Sequence, residues 1–480
     1  MVGPAHQRRT KCGLPRYDHN QSCVKQPCSP TPLPRTQTHD AIPATRAQCA
    51  PQPSKTAIQH GLRGHMQVAV IGGGVVGVTT AFFLARAGHE VVVIERQSNV
   101  AESASFGSAG VMAPVHALPW SAPGMPKKLL PMLLKAESPV WIAPRPNVRL
   151  WRWARRWIAE CDITRYRINR ERSYRLAAYS QDVMQALRHE YPFEYERTEG
   201  YLQLYRTPHE REFARELQDF LTEHEVAHRV LEPDDAYLVE PALSRTAPLA
   251  GALYLPQDAS GNCPLFCKQL RSAAQAIGVS FVFSREVDAI EHAQSSGLTV
   301  RLGESRSPVD AVVVAAGEGS EALLSPLGIR LPFFPVRTYT ATATIRNFDD
   351  APLAALADST YQVALTRMGT RMRLAGTAEL GNRSPEMRKS AIRTLLKVGQ
   401  DWFPDAANYN AATFWSGDMP TLPDGPPILG ATPVRNLYLN IGHASNSWAT
   451  AAGAARVLAD MISGHAPEID IDGLTMSRFG

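Results

Sequence analysis

The stretch from Gln67 to Glu95, QVAVIGGGVVGVTTAFFLARAGHEVVVIE, constrains the fold more than any other part of this chain. Gln67 to Ile71 is a short apolar run, which suits a parallel strand buried on both faces. Gly72, Gly74 and Gly77 follow as G-x-G-x-x-G, Val75 to Ala87 carries a helix ended by Gly88, and Val91 to Glu95 is a second strand closing on an acid. In this strand–turn–helix–strand setting the glycines specify a dinucleotide site. Gly72 permits the tight turn, Gly74 lets backbone approach a pyrophosphate, and Gly77 lets helix pack closely on strand. The helix N-terminus presents N–H groups and a positive dipole end to the phosphates. Glu95 accepts hydrogen bonds from an adenosine ribose. The motif alone does not separate NAD from FAD.

At 480 residues the chain holds more than one domain's worth of structure. No apolar run approaches the ~20 residues of a membrane span. The formal charge of +5 is uneven: residues 1–65 hold nine Lys/Arg and two Asp/Glu, and the remainder is slightly acidic. The basic character therefore belongs to a tail and implies no nucleic-acid partner. That tail is rich in Pro, Gln, Thr and Ser and holds Cys12, Cys23, Cys28 and Cys49. Three readings of it stand: sequence upstream of a start at Met66, an organellar transit peptide, or a disordered regulatory arm. Cys161, Cys263 and Cys267 are sparse and suit a reducing cytoplasm.

Further along, Ala104 to Pro114 (ASFGSAGVMAP) spaces small residues closely, as a mobile loop or as a backbone cradle for a flat ring. Arg145 to Arg175 has ten Arg against three acids, with Trp151, Trp153 and Trp157 interleaved. It reads as a helical pair whose basic aromatic face is either solvated or rests on anionic lipid. Val309 to Ala315 is a strand that runs into the small residues Ala315 to Ser320. Arg337 to Ile345, Tyr361 to Arg367 and Arg371 to Gly376 alternate as an antiparallel sheet distinct from the parallel one. Gly442 to Ile462 is a turn opening a small-residue helix. No repeat, metal-ligand cluster or Ser/His/Asp nucleophile arrangement appears.

These segments, in this order, resemble the FAD-dependent oxidoreductases of the D-amino acid oxidase type, and among them the bacterial D-amino acid dehydrogenases, small-subunit or single-chain. The residues that carry the resemblance are the glycine stretch itself, SAGVMAP with PWSAPGMPKK, GYLQLYRT, VALTRMGTRMRLAGTAE, FWSG with PDG, and NIGH, spread over about residues 66–480. The resemblance implies that Gly72, Gly74, Gly77 and Glu95 hold the pyrophosphate and ribose of FAD. It places Ser108, Ala109 and Gly110 beside the isoalloxazine, Val287 at the adenine, and Gly317 at the end of a strand passing the cofactor. Gly442, Ser445, Asn446 and Ser447 then bring the last helix to the pyrimidine side of the ring, where its dipole favours negative charge. No cysteine follows Cys267, so a thioether to flavin from the C-terminal region is excluded.

The chain departs from the family at two points. Met419 stands before Pro420 where the family usually has Arg, and GHASNS, Gly442 to Ser447, stands for its glycine-rich G-H-G-T-x-G. Another cation must then clamp a substrate carboxylate, or the substrate differs. Arg367 is the first candidate and Arg337 the second; Tyr339 and Tyr361 are candidate hydroxyl donors, and His443 a candidate contact to flavin or substrate.

The expected fold is α/β. A discontinuous Rossmann-like FAD-binding domain is assembled from 66–150, 250–330 and 410–480, and an antiparallel-sheet substrate domain from 150–250 and 330–410. The expected activity is oxidative deamination of a D-amino acid, with electrons passed to a quinone or respiratory carrier. A second subunit and a peripheral contact on the inner face of the cytoplasmic membrane are the partners that go with it. The alternatives are an oxygen-using oxidase of glycine, sarcosine or hydroxyproline, and a flavin-holding electron-transfer subunit without its own substrate site.

Overall fold

A computed structural model of the protein describes residues 65–133, 135, 137–292, 297–382 and 384–479. The tail 1–64, with its three readings, lies outside the described residues.

The buried apolar runs form a six-stranded sheet in the order Ile428–Ala431, Leu437–Ile441, Ala311–Val314, Gln67–Ile71, Glu90–Ile94, Ser280–Val282. All neighbours run parallel except Ile428–Ala431, which is antiparallel to Leu437–Ile441. Val68 and Val70 point into a core shared with the helices Val75–Arg86, Cys263–Ala276 and Ser447–Ser463. Ala69 and Ile71 point into the opposite core, with Ile290, Leu298 and Val300. Those three come from a small antiparallel sheet, Ala289–His292, Leu298–Leu302 and Ser305–Val309. Burial on both faces explains why the strands lack alternation.

The second sheet has ten strands, along the path Thr413–Thr421, Phe334–Thr344, Arg371–Leu380, Val363–Met368, Ala355–Asp358, Thr198–Tyr205, Gly251–Ser260, Val111–Met112. Val140–Ile142 pairs with Arg371–Leu380, and Arg229–Leu231 with Gly251–Ser260. The sheet is antiparallel apart from two parallel pairs, Ala355–Asp358 with Thr198–Tyr205 and Arg371–Leu380 with Val140–Ile142. One face packs a core of Leu202, Leu356, Val363, Leu365, Met372 and Leu374 against the helix Lys389–Trp402. The other face carries Tyr201, Tyr205, Ala355, Ala357 and Ala364, packed with Val111, Ala113 and Val115.

All six strands of the first sheet fall within 66–150, 250–330 and 410–480. The second sheet draws on 150–250 and 330–410, and also takes Val111–Met112, Val140–Ile142, Gly251–Ser260 and Thr413–Thr421. Val148–Glu160 and Ile163–Glu190 are the basic aromatic helices, capped by the side chains of Asn147 and Asp162. Among the described residues no helix is long and apolar enough to cross a membrane.

Candidate cofactor and active site

The carboxyl ends of the parallel strands open into a cavity of about 810 Å³. In open parallel sheets ligands bind at this edge, where strand order reverses; here the reversal lies between Glu90–Ile94 and Ala311–Val314, on either side of Gln67–Ile71.

The glycine turn forms one wall. Gly72 has φ +110, and a Cβ there would lie 2.5 Å from the Ala315 carbonyl oxygen. At Gly77 a Cβ would lie 1.8 Å from the Gly72 oxygen, so helix and turn touch only because both residues are glycine. The helix Val75–Arg86 starts at Gly74 without its own side-chain cap; the Ser105 hydroxyl accepts the Val75 N–H at 3.0 Å. Gly72 and Gly74 line the cavity, whereas Gly77 acts behind it as a packing residue.

Glu95 ends the second strand with its carboxylate accepting the Gly73 N–H at 2.5 Å and the Gln97 N–H at 2.8 Å. These bonds aim a nearly buried carboxylate at the cavity, where further lone pairs remain for hydroxyl donors. Val287 and Gly317 line the same space, Gly317 with φ +55. Arg96, paired with Glu318, and Arg285 add positive charge there.

The last helix supplies the third wall. Gly442, at φ +81, His443 and Ser447 line the cavity. His443 is buried, with Nδ1 2.7 Å from Thr450 Oγ1 and Nε2 2.8 Å from Asn440 Oδ1. The amide oxygen only accepts, so Nε2 carries the proton. Burial lowers the His443 pKa to about 3, and the ring is a neutral clip between the strand Leu437–Ile441 and the helix. Asn446 donates from Nδ2 to the Ala117 carbonyl at 3.1 Å, and Ser445 is exposed and donates to Asn446. Neither Ser445 nor Asn446 is in the cavity wall.

The loop after the second strand divides in two. Glu102 to Ser105 line the cavity. Phe106 to Gly110 are fastened to the second sheet: Arg373 donates to the carbonyls of Phe106 at 2.7 Å and Ser108 at 3.1 Å, Thr366 donates to that of Ala109 at 2.8 Å, and the Gly261 N–H to that of Gly110 at 2.8 Å. The Ser108 hydroxyl accepts the Gly110 N–H at 3.1 Å. Ser108, Ala109 and Gly110 therefore present backbone, as a ring cradle requires, but they stand outside the cavity wall. The Trp415 ring touches both Gly107 and Gly417 and forms part of the wall itself. Arg373 is a buried guanidinium with no carboxylate at ion-pair distance among the described residues; burial, with Arg371 nearby, lowers its pKa to about 10.

The structure does not bring Arg367, Tyr339 and Tyr361 to the cavity. Arg367 shares the face of Val363 and Leu365, toward the helical layer, where its charge is felt by the buried Glu240. Tyr339 is 1 % exposed in that same core and donates to Glu379. Tyr361 packs under the Arg206 guanidinium, 4.9 Å from its ring centre. Arg337 does line the cavity. Its Nε donates to Asp418 at 2.8 Å and its Nη2 at 3.3 Å, and Met419 lies in the same wall.

A glycine turn at the switch point of a parallel sheet, an acid on the ribose side, and a second, largely antiparallel sheet closing the cavity together define a dinucleotide-dependent oxidoreductase of the two-sheet type. The family model described as "FAD dependent oxidoreductase" (DAO) matches residues 67–461. The chain belongs to this family, and FAD is its cofactor. The residues present fit that group: side chains at Gly72 and Gly77 would collide with backbone at the glycine turn, and Glu95 stands ready for a ribose.

Among relatives, the chain is similar to the D-amino acid dehydrogenase of Bradyrhizobium diazoefficiens, 40% identical over 86% of this chain and 99% of that one. It is also similar to the D-amino acid dehydrogenase of Methylobacterium radiotolerans, 40% identical over 86% of this chain and 100% of that one. Among solved structures, glycine oxidase from Geobacillus kaustophilus superposes with a TM-score of 0.68 at 22% identity, covering 86% of this chain and 99% of that one, a likeness of fold.

Proposed function

We propose that the protein is an FAD-dependent D-amino acid dehydrogenase, which deaminates a D-amino acid oxidatively and passes the electrons to a quinone or another respiratory carrier. The observation that carries this reading is the cavity, lined both by a glycine cradle and by a cation of the second sheet, Arg337, in a chain 40% identical to two D-amino acid dehydrogenases. FAD, held at the glycine turn by Gly72 and Gly74 and at its ribose by Glu95, would supply the two-electron redox chemistry that turns an amino acid into an imine, which water splits into oxo acid and ammonia.

The protein's part is to hold and orient. Arg337 meets the substrate carboxylate, with Asp418 giving way as its partner, and so replaces the arginine that Met419 removes. A guanidinium suits this because its planar fork matches a carboxylate. Trp415, packed on Gly107 and Gly417, walls the cavity with an apolar surface that keeps water from the reacting carbon. His443 is neutral and doubly hydrogen-bonded, so its role is to fix the entry of the last helix rather than to move protons.

The helix Val148–Glu160 exposes Val148, Trp151 and Ile158 beside Arg152, Arg155 and Arg156. This supports a peripheral contact with an anionic membrane surface, and with it a cytoplasmic site on the inner face of the membrane. A second subunit would fit the same reading.

Turnover assays under air and under nitrogen with an artificial dye test the acceptor. The expected result is dye reduction equally fast in both gases, with little peroxide. Peroxide formed in step with turnover would replace the dehydrogenase by an oxidase.

A further inference from the structure

Arg373, on the strand Arg371–Leu380, is a buried charge without a counter-charge. It is 6 % exposed, and among the described residues no carboxylate lies within ion-pair distance of it. Its neighbours do not neutralise it. Arg371 adds a second positive charge, and Glu196 is already engaged by Arg371 at 3.1 Å and by Asn262 Nδ2 at 2.7 Å. Cys263 is a fully buried thiol that burial holds well above its usual pKa, so it stays uncharged. Two cations and one acid leave the group one positive charge in excess. Buried charges are costly and nearly always paired, so an unpaired one points to a partner of opposite charge that arrives separately.

The hydrogen bonds of Arg373 run to one place, the carbonyls of Phe106 and Ser108, and the Phe106 ring lies 5.8 Å from its guanidinium. With the bonds that Thr366 and the Gly261 N–H make to the next two carbonyls, four carbonyls of the loop Phe106–Gly110 are drawn toward the second sheet. In a trans peptide the N–H points opposite to the carbonyl. The Ala109 N–H, which has no acceptor among the described residues, therefore points away from Arg373. The loop adjoins the cofactor cavity: Ser105, just before it, lies in the wall, and Gly107 is in contact with the wall residue Trp415. With its ribose at Glu95 and its pyrophosphate at the glycine turn, the cofactor leaves the rest of the wall for its flavin ring, and that wall includes Trp415 to Pro420 of the second sheet.

We propose that Arg373 is a positioning residue for the cofactor: it fastens the loop Phe106–Gly110 beside the flavin site and supplies, from behind that loop, the uncompensated positive charge that favours the reduced ring. On taking up two electrons and one proton the flavin gains one negative charge; the second proton that an oxidised amine loses goes to solvent. The guanidinium is in place before that charge appears, in an interior that screens it weakly, so nothing has to reorganise at the moment of reduction. This role rests on FAD as the cofactor and not on the substrate proposed above, so the two can fail separately.

The test is the midpoint potential of the yellow holoenzyme, measured anaerobically by slow reduction with dithionite beside a reference dye, with no substrate present. Arg373→Gln keeps a donor for the loop and removes the charge; Arg373→Lys keeps the charge and loses the fork. Arg373→Gln is expected to disfavour the reduced flavin about tenfold, a fall of about 30 mV for a two-electron couple, and Arg373→Lys less than about twofold. A role confined to packing would weaken FAD binding in both variants and leave the potential where it is. Glu196→Gln removes the acid of the group while keeping an acceptor for Asn262, and is expected to move the potential the other way, upward. If Arg373→Gln sheds FAD, Glu196→Gln decides. An unchanged potential in Arg373→Gln, a fall in Arg373→Lys as large as in Arg373→Gln, or no rise in Glu196→Gln overturns the proposal. If no D-amino acid reduces the wild type, the functional reading fails, and these potentials still decide the role of Arg373.

Discussion

Valine in place of Gly77 is expected to give protein that carries no FAD. A Cβ at this position would lie 1.8 Å from the Gly72 carbonyl oxygen, and the obstacle is backbone that cannot rotate away. The helix Val75–Arg86 must then lift off the first strand, and Val78 and Phe82, buried at 0%, lose their packing with it. Overpacking of this kind costs about 1–3 kcal/mol and occasionally more. The same displacement pulls the helix N-terminus from the place where it meets the pyrophosphate. The visible spectrum of purified G77V and its thermal midpoint check this. Gly88→Asn is the control: Gly88 has φ +92 but no atom near its would-be Cβ, so backbone strain is its main cost and the cofactor should stay.

The second large effect is expected at Arg337. Arg337→Leu should raise the KM for a D-amino acid by about one to two orders of magnitude, because a hydrogen bond to a charged group is worth about 1.5–3 kcal/mol. Arg367→Leu should leave KM unchanged, since that side chain shares the face of Leu365 and points to the helical layer. Asp418→Asn frees Arg337 from its bidentate partner and should lower KM. Steady-state kinetics with one D-amino acid across the three variants decide the matter. Equal KM in wild type and Arg337→Leu would remove Arg337 from the site.

The contrast between these two arginines shows what the sequence made legible. The glycine turn, Glu95, the parallel strands and the alternating strands at Val363–Met368 and Arg371–Leu380 follow from residue type and period alone. Alternation says which residues share a face, but not which face meets the cavity. Ala364, Thr366 and Met368 turn toward the loop Phe106–Gly110, and Arg373, opposite Thr366, joins them; Arg367 points the other way. Either parity would satisfy the pattern. The strand Phe334–Thr344 adds a second difficulty. Its register with Arg371–Leu380 shifts between Arg337 and Tyr339, but the extra residue is on the partner strand, around Thr377. The pairing with Thr413–Thr421 runs unbroken through Arg337 and Tyr339, so the two share a face. Position along the strand, not parity, puts Arg337 in the cavity wall and Tyr339 in the helix-side core.

Other features left weaker traces. The small sheet covering Ile290, Leu298 and Val300 has a polar third strand, Ser305–Val309, with no apolar period to reveal it. The contact of Trp415 with Gly107 joins residues about three hundred positions apart and depends on both glycines lacking a side chain. Arg373 was visible as a charge on a predicted strand, but its partners are backbone carbonyls, which no residue pattern advertises.

Anaerobic titration of the purified yellow protein with matched D- and L-amino acids, followed at the visible flavin band, decides whether the enzyme oxidises D-amino acids on its own. At least one D-amino acid is expected to bleach the band fully, without any partner protein, and its L-enantiomer is not. A band that no D-amino acid changes, or that the L-enantiomers bleach equally well, would contradict it.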